Sequence, residues 1–479
     1  MSKVLENTTV QMINLGCAKN TVDAEEMLGS LSQSGYKIDS AAANPNVVVI
    51  NTCGFIESAK QESIDTILAA LERKRRGEIQ KVVVSGCLVQ RYHKELSAEM
   101  PDVDAFLGAG QMGSLPGLVG QSYGQSSGEA MQISLVPEKP HHRWLDVPTR
   151  IRSTAPWTAY LKISEGCDHL CTFCAIPSFR GKHASKPLEK IIAEAEMLAA
   201  DGVKELNLIA QDSTQYGYDL TGKQMLPELL RELSKVDGIH WIRLFYCYPS
   251  RVNRAVIETI ANTPKVCQYI DMPLQHSDDE VLRAMRRPAN KGRYQEIVDQ
   301  FRAASPDVAI RTTFIVGFPG ETDAQFENLL KFVAEAKFDR VGAFEYSTED
   351  GTPSADLPNR VPSRTKRERK DRLMRLQQEI SFQRNQTWVG REIEVLIERQ
   401  EPSSINREMY VGRSFRDAPE VDGLVYVEGR ELIPGAFVTV EATEARAYDM
   451  VGKVAENVAE IDLNALVAGS LGIGAKQSN

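Results

Sequence analysis

Cys167-Asp168-His169-Leu170-Cys171-Thr172-Phe173-Cys174 sets three thiols on one short loop, separated by three residues and then by two. A tetrahedral zinc site or an ordinary iron–sulfur cluster takes four ligands. The loop supplies three, and the only later cysteines, Cys247 and Cys267, stand alone. A four-iron cluster held by three thiolates keeps one iron open for a small molecule, the same logic that separates catalytic from structural metal sites. With 8 cysteines in 479 residues, chance would give this spacing only about 0.002 times per chain, so it carries information. The competing reading is a structural zinc site completed by His169 or His183.

Outward from that loop, the chain is long enough for about two to four domains, each with its own core. It is 42% hydrophobic and 25% charged, as globular proteins are, and its net charge of −9 gives no global attraction to nucleic acid. The start, Met1-Ser-Lys-Val-Leu-Glu6, has no apolar signal region, and no run reaches a membrane-spanning length. These features predict a soluble, cytoplasmic protein without a membrane partner. In such a chain, cysteines point to metal binding or catalysis before disulfides.

Three cysteines punctuate the first 90 residues, each ending an apolar β-branched run: Thr8–Leu15 before Gly16-Cys17, Asn46–Thr52 before Cys53, and Lys81–Ser85 before Gly86-Cys87. Helical patterns follow over Asp23–Ser34, Glu57–Arg73 and Arg91–Glu99. The alternation predicts a doubly wound parallel sheet over residues 8–125, with ligands outside the carboxyl ends of its strands. All three cysteines fall there, so thiols 36 and 34 positions apart can converge on a second cluster. Three buried structural cysteines are the alternative. Residues 126–152, rich in Pro with His141, His142 and Trp144, read as a linker.

From Thr158 strands are expected at 158–164, 203–209, 241–247, 267–272, 308–316 and 340–346, with helices between them. Six strand–helix units are too few for a closed eight-stranded barrel, so 153–380 predicts a partial (β/α)6 barrel with its site at the carboxyl ends of the strands. Those ends carry Cys167, Gln211-Asp212, Cys247-Tyr248, Gln275-His276, Gly317-Phe-Pro-Gly320-Glu321 and Tyr346-Ser347. By position alone Gln275, Gly317 and Gly320 are candidates to contact a small-molecule cofactor. The helical pattern Arg364–Arg384, dense in Arg and Lys, reads as a solvated surface helix, with a ribosome or RNA contact as the minority reading. After Trp388, short alternating runs predict a five-stranded antiparallel barrel over 381–451, followed by a loose tail over 452–479. Between 381 and 450 there are 8 Lys+Arg against 13 Asp+Glu, which favours a basic partner over phosphates.

Cys167–Cys174 resembles the radical-SAM motif. Leu15-Gly-Cys-Ala-Lys-Asn20, Asn51-Thr-Cys-Gly-Phe-Ile56 and Ser85-Gly-Cys87 resemble the methylthiotransferase N-terminal domain, and the closing barrel is similar to a TRAM domain. Cys53-Gly-Phe-Ile-Glu-Ser58, Asp271-Met-Pro-Leu-Gln-His276 and Gly412–Asp422 look like the branch that modifies an aspartate of ribosomal small-subunit protein S-twelve, rather than the branch acting on a transfer-RNA adenosine. Ala18 departs from the proline expected beside Cys17. The resemblance implies two [4Fe-4S] clusters, one on Cys167, Cys171 and Cys174 and one on Cys17, Cys53 and Cys87. It also implies S-adenosyl-L-methionine as cofactor, at a pocket where Gln275, Gly317 and Gly320 are candidate contacts. Reductive cleavage of that cofactor would be followed by hydrogen abstraction from the aspartate β-carbon. Sulfur would come from the second cluster and the methyl group from a second S-adenosylmethionine. An electron donor such as flavodoxin or ferredoxin would be a partner. Outside this class, the competing function is a zinc-stapled RNA-binding module without catalysis.

Overall fold

Val47–Thr52 (β3) is six consecutive buried residues, as expected of a parallel strand covered on both faces. It lies in a six-stranded parallel sheet with β1 (Thr9–Asn14), β2 (Lys37–Ile38), β4 (Lys81–Gly86), β5 (Ala105–Leu107) and β6 (Ile133–Leu135), ordered β2-β1-β3-β4-β5-β6. Helices Ala18–Gln33, Glu57–Arg75 and Cys87–Glu99 follow β1, β3 and β4. Separate apolar clusters, one around Val48, Ile50 and Val84 and one around Val47, Val49 and Val83, cover the two faces. The structure is a computed structural model describing residues 8–121, 132–140, 144, 149–288, 290–402 and 408–455.

Two details differ from expectation. The first and third helices start at Ala18 and Cys87, several residues earlier than the apolar periodicity suggests: the first opens with polar Lys19, Asn20 and Thr21, and the third is kinked at Tyr92, which separates its first turn from the later pattern. Residues 126–152 are not all connecting chain. β6 pairs with β5 there, and its three residues are too short to show alternation. His141 and His142, read as part of the linker, lie outside the described residues.

The second layer of the chain is a curved row of six parallel strands: β7 (Thr158–Lys162), β10 (Glu205–Ile209), β11 (Trp241–Leu244), β12 (Tyr269–Asp271), β13 (Ala309–Val316) and β14 (Arg340–Glu345). Backbone bonds Cys267 N–H to Ile242 O (2.9 Å) and Cys247 N–H to Asp271 O (2.8 Å) join β11 to β12. A short hairpin, β8 (Ser164–Glu165) with β9 (Ala184–Ser185), interrupts the path after β7. Helices Leu188–Ala200, Leu226–Ser234, Arg254–Asn262, Lys291–Ala304 and Asp323–Ala336 cover the outside, and their apolar stripes share one core with the strands. The front sheet and this open barrel form one compact unit, Met1–Ile380. The helix Ser363–Gln386 is not wholly solvated: Arg369, Leu373, Gln377 and Ile380, spaced to share one face, are buried.

The unit from Ser381 onward is a closed barrel ordered β15-β16-β17-β19-β18, built from Glu392–Gln400, Met409–Ser414, Val425–Glu428, Met450–Val454 and Phe437–Ala445 in that order. It is not purely antiparallel, because β17 pairs with β19 in parallel. Residues 446–449 form a turn closed by Arg446 N–H to Asp449 O, and β19 extends into what was expected as tail. The stretch Gly412–Asp422 is largely internal scaffolding. A Cβ on Gly412 would lie 2.4 Å from Leu396 O, and buried Arg413 donates to Glu398 (2.7 Å).

Candidate active site

The loop Cys167–Cys174 leaves the barrel through the β8–β9 hairpin. Gly166 turns the chain with φ +75°, and a Cβ there would sit 2.1 Å from Lys182 O, so only glycine fits this close approach. Cys167 N–H donates to Gly181 O (3.0 Å), and Thr172 is tied to the barrel through Met285 O and Ala284 O. Cys171 lies 3.7 Å from Arg287 Nη1 and 3.9 Å from Tyr248 Oη, while Arg287 stacks on the Tyr248 ring. Both histidines weighed as a zinc ligand are engaged elsewhere. His169 Nε2 pairs with Asp212 at 2.7 Å and its ring stacks on Tyr248, and His183 Nε2 bonds Ser185 Oγ at 3.1 Å.

The three front thiols lie at the carboxyl ends of β1, β3 and β4, and among the described residues no three His, Cys, Asp or Glu side chains are arranged to hold a single metal ion. Gly16 (φ +97°) passes so close to Cys53 that a Cβ would lie 3.1 Å from its sulfur, and Gly54 is similarly pressed against the backbone of Cys87 and Leu88. Ionised, Cys17 and Cys53 would each oppose ionisation of Cys87. Cys17 is exposed, whereas Cys53 and Cys87 are buried. Burial pushes the Cys87, Cys167 and Cys174 thiols up to about 12, and pushes Cys53 up as well. A metal centre reverses that preference by ionising its thiol ligands outright. Soft donors in threes, short of chain where bulk must enter, suit iron–sulfur ligation.

The two trios meet across a polar seam. Cys87 packs on Ala175, Ile176 and Phe179, the residues that follow Cys174. From the same short helix Arg180 donates through Nε to Cys87 Sγ (3.1 Å), through Nη2 to Asn20 Oδ1 (2.6 Å), and through Nη1 to Asp23 (2.8 Å) and Glu165 (3.2 Å). Lys162 pairs with both carboxylates, and Arg150 bridges Glu25 and Glu194 (2.7 Å to the latter). All of these side chains are buried. Glu26, in the same seam, is pushed up to about 7 by burial.

Residues 9–108 match the "Uncharacterized protein family UPF0004", 161–333 the "Radical SAM superfamily" and 389–455 the "TRAM domain". A curated protein of Anaeromyxobacter sp. (strain Fw109-5), "Ribosomal protein uS12 methylthiotransferase RimO", is 48% identical over 450 residues, covering 94% of each chain. Proteins of the same name from Desulforamulus reducens and Geobacter sulfurreducens are each 44% identical, over 94% and 93% of this chain and 100% and 98% of theirs. This chain belongs to the radical-SAM methylthiotransferase family. Among solved structures, the radical S-adenosylmethionine methyltransferase TsrM of Kitasatospora setae, with cobalamin and a [4Fe-4S] cluster bound, superposes with a TM-score of 0.55 at 14% identity, over 72% of this chain and 77% of that one. The likeness extends the fold assignment alone.

In the methylthiotransferase the remaining candidates line the barrel's carboxyl rim. Gln275 takes a left-handed conformation (φ +73°) and bonds both ways with β13, its N–H to Thr313 O and its O to Ile315 N–H. Gly317 and Gly320 also have positive φ, and the Glu321 carboxylate accepts from the Gly317 and Phe318 N–H groups. Thr322 and Gln325 form the capping box of the next helix. Asp212 caps a short turn through Thr214 N–H while holding His169. No helix among the described residues is long and apolar enough to cross a membrane. Sequence reasoning singled out none of Lys19, Asn20, Asp23, Arg180 or Arg287 as a site residue, although Lys19 and Asn20 lie inside the quoted Cys17 motif.

His276 gives the enzyme a testable pH dependence. It is buried, with Nδ1 accepting from Asp278 N–H at 3.0 Å, and burial lowers its pKa from 6.5 to about 4. The neutral ring is favoured in the folded state, so this site contributes no penalty above pH 6.5. Stability falls as the pH drops from about 6.5 to about 4, by on the order of 3 kcal/mol in total. Denaturant titrations of wild type and His276→Gln should show a shallower acid slope for the variant. Parallel slopes would remove His276 as the cause.

Proposed function

We propose that this methylthiotransferase inserts a methylthio group at the β-carbon of an aspartate in ribosomal small-subunit protein uS12, in the cytoplasm, using two iron–sulfur clusters and two molecules of S-adenosylmethionine. The observation that carries the reading is two thiol trios in one compact unit, with Arg180, six residues after Cys174, bonded to Cys87. Cys167, Cys171 and Cys174 would hold one [4Fe-4S] cluster and Cys17, Cys53 and Cys87 the other. When bound, these groups supply one-electron reduction of S-adenosylmethionine and a sulfur atom, chemistry beyond side-chain acids and bases.

The chain's own residues supply the setting. Burial of five of the six sulfurs, wholly or in part, limits access of water. Arg287 and Tyr248 present donors beside Cys171, and Arg180 presents one beside Cys87; hydrogen bonds to cluster sulfurs are a known lever on redox potential. Gln275, Gly317 and Gly320, on the rim of the same barrel, would line the S-adenosylmethionine pocket. The acidic closing barrel suits a basic ribosomal protein better than a transfer RNA, and the relatives' names agree. A flavodoxin or ferredoxin would deliver the electron.

The test is iron and sulfide analysis of anaerobically purified protein, followed by mass spectrometry after incubation with uS12 or with transfer RNA. About eight irons per chain and a methylthio mass shift on uS12 are expected. A shift on RNA instead would assign the chain to the other branch. Zinc without iron would leave a binding module.

A further inference from the structure

Lys19 is more than nine-tenths buried, and its ammonium lies 3.1 Å from the centre of the Tyr246 ring. It donates no hydrogen bond and joins no ion pair among the described residues. A buried cation in that state is costly, because buried charges are ordinarily paired. Besides the Cys17 sulfur, the groups that favour its charge are two carboxylates, and both are already committed. Asp271 accepts from Arg311 Nη1 (2.8 Å) and from Tyr246 N–H (3.2 Å). Glu165 holds Arg180, Lys162 and Gln211. Tyr246 itself is held in a left-handed conformation (φ +59°) just beyond β11, so Lys19 reaches from the Cys17 segment to the carboxyl rim of the barrel.

We propose that the Lys19 ammonium anchors a carboxylate between the Cys17 segment and the barrel rim, and that this carboxylate is the side chain of the target aspartate. The inference rests on the proposed substrate and deepens it. In an aspartate side chain the carboxylate carbon is bonded directly to the β-carbon. A group that receives sulfur at that β-carbon must therefore carry its carboxylate next to the thiols that would hold the sulfur-supplying cluster, and Lys19 is two residues from Cys17. The ring face of Tyr246 partly compensates the charge until the carboxylate arrives. A neutral amide cannot make the same pair.

The test is equilibrium binding of iron-loaded protein to uS12 and to uS12 with asparagine at the modified position, for wild type, Lys19→Met and Lys19→Arg. Wild type is expected to prefer the aspartate form by about 10-fold or more, Lys19→Met to lose the preference, and Lys19→Arg to keep part of it. S-adenosylmethionine affinity, measured by dialysis on the same preparations, is expected to be unchanged. Unaltered preference in Lys19→Met overturns the assignment while leaving the substrate intact. A drop in S-adenosylmethionine affinity with the preference retained would move the anchor to that cofactor's own carboxylate and equally overturn it. No preference in wild type overturns the anchor, while the methylthio mass shift on uS12 decides the aspartate substrate separately. Should Lys19→Met fold or load iron poorly, Lys19→Arg decides: an arginine variant that folds, loads iron and shows no preference leaves no role for a cation there.

Discussion

Cys171→Ala is expected to abolish formation of 5′-deoxyadenosine, whereas Cys53→Ala should leave that product measurable and stop methylthiolation of uS12. The two thiols are comparably buried, so a general packing defect would affect both alike. The difference lies in their surroundings. Cys171 sits with Cys167 and Cys174 on the loop held by the β8–β9 hairpin, beside Arg287 and Tyr248. Cys53 sits under Gly16 with Cys17 and Cys87 at the end of the front sheet. Each variant should bind about four fewer irons than wild type, because a two-thiol remnant no longer encloses a cluster. Full methylthiolation by Cys53→Ala would show that the front trio does not deliver sulfur. 5′-Deoxyadenosine production by Cys171→Ala would detach the barrel loop from cofactor cleavage.

Much of this architecture is written locally. Buried parallel strands leave uninterrupted β-branched runs, so Val47–Thr52 and Lys81–Gly86 are plain in the chain, and the barrel strands lie within a few residues of their expected bounds. The barrel thiols are legible because one loop holds all three. The front thiols are legible because each ends an equivalent strand. What pairs across long separations is not legible. Asp23 and Arg180 are 157 residues apart, and Lys162 and Asp23 are 139 apart, yet they touch in the buried seam. Each would pass for an ordinary charged surface residue. Arg150 falls in a segment that composition marks as linker, and its role appears only once Glu25 and Glu194 flank it. The parallel pairing of β17 with β19 is equally hidden, since alternation shows which face a strand buries but not its direction.

That seam makes Arg180→Leu the most damaging change expected away from the cysteines. Removing the guanidinium leaves Asp23 and Glu165, both buried, with one cation fewer beside the Lys162 they share, and leaves the Asn20 oxygen without its 2.6 Å donor. Breaking a buried ionic network by deleting one partner costs about 3–5 kcal/mol, because an uncompensated charge stays behind. In a unit of this size that corresponds to a fall in Tm on the order of 5 °C or more, read by calorimetry under anaerobic conditions. Arg180→Lys separates charge from geometry. It keeps the cation beside Asp23 and Glu165 but cannot reproduce the fork that reaches Cys87 and Asn20 together. The lysine variant should therefore recover most of the lost stability. Its front cluster should still differ from wild type in reduction potential, since a hydrogen bond to a cluster sulfur is one determinant of that potential. A leucine variant that melts with wild type would show that Lys162 alone balances the seam. A lysine variant with an unshifted potential would reduce Arg180 to a structural tie between the front sheet and the barrel.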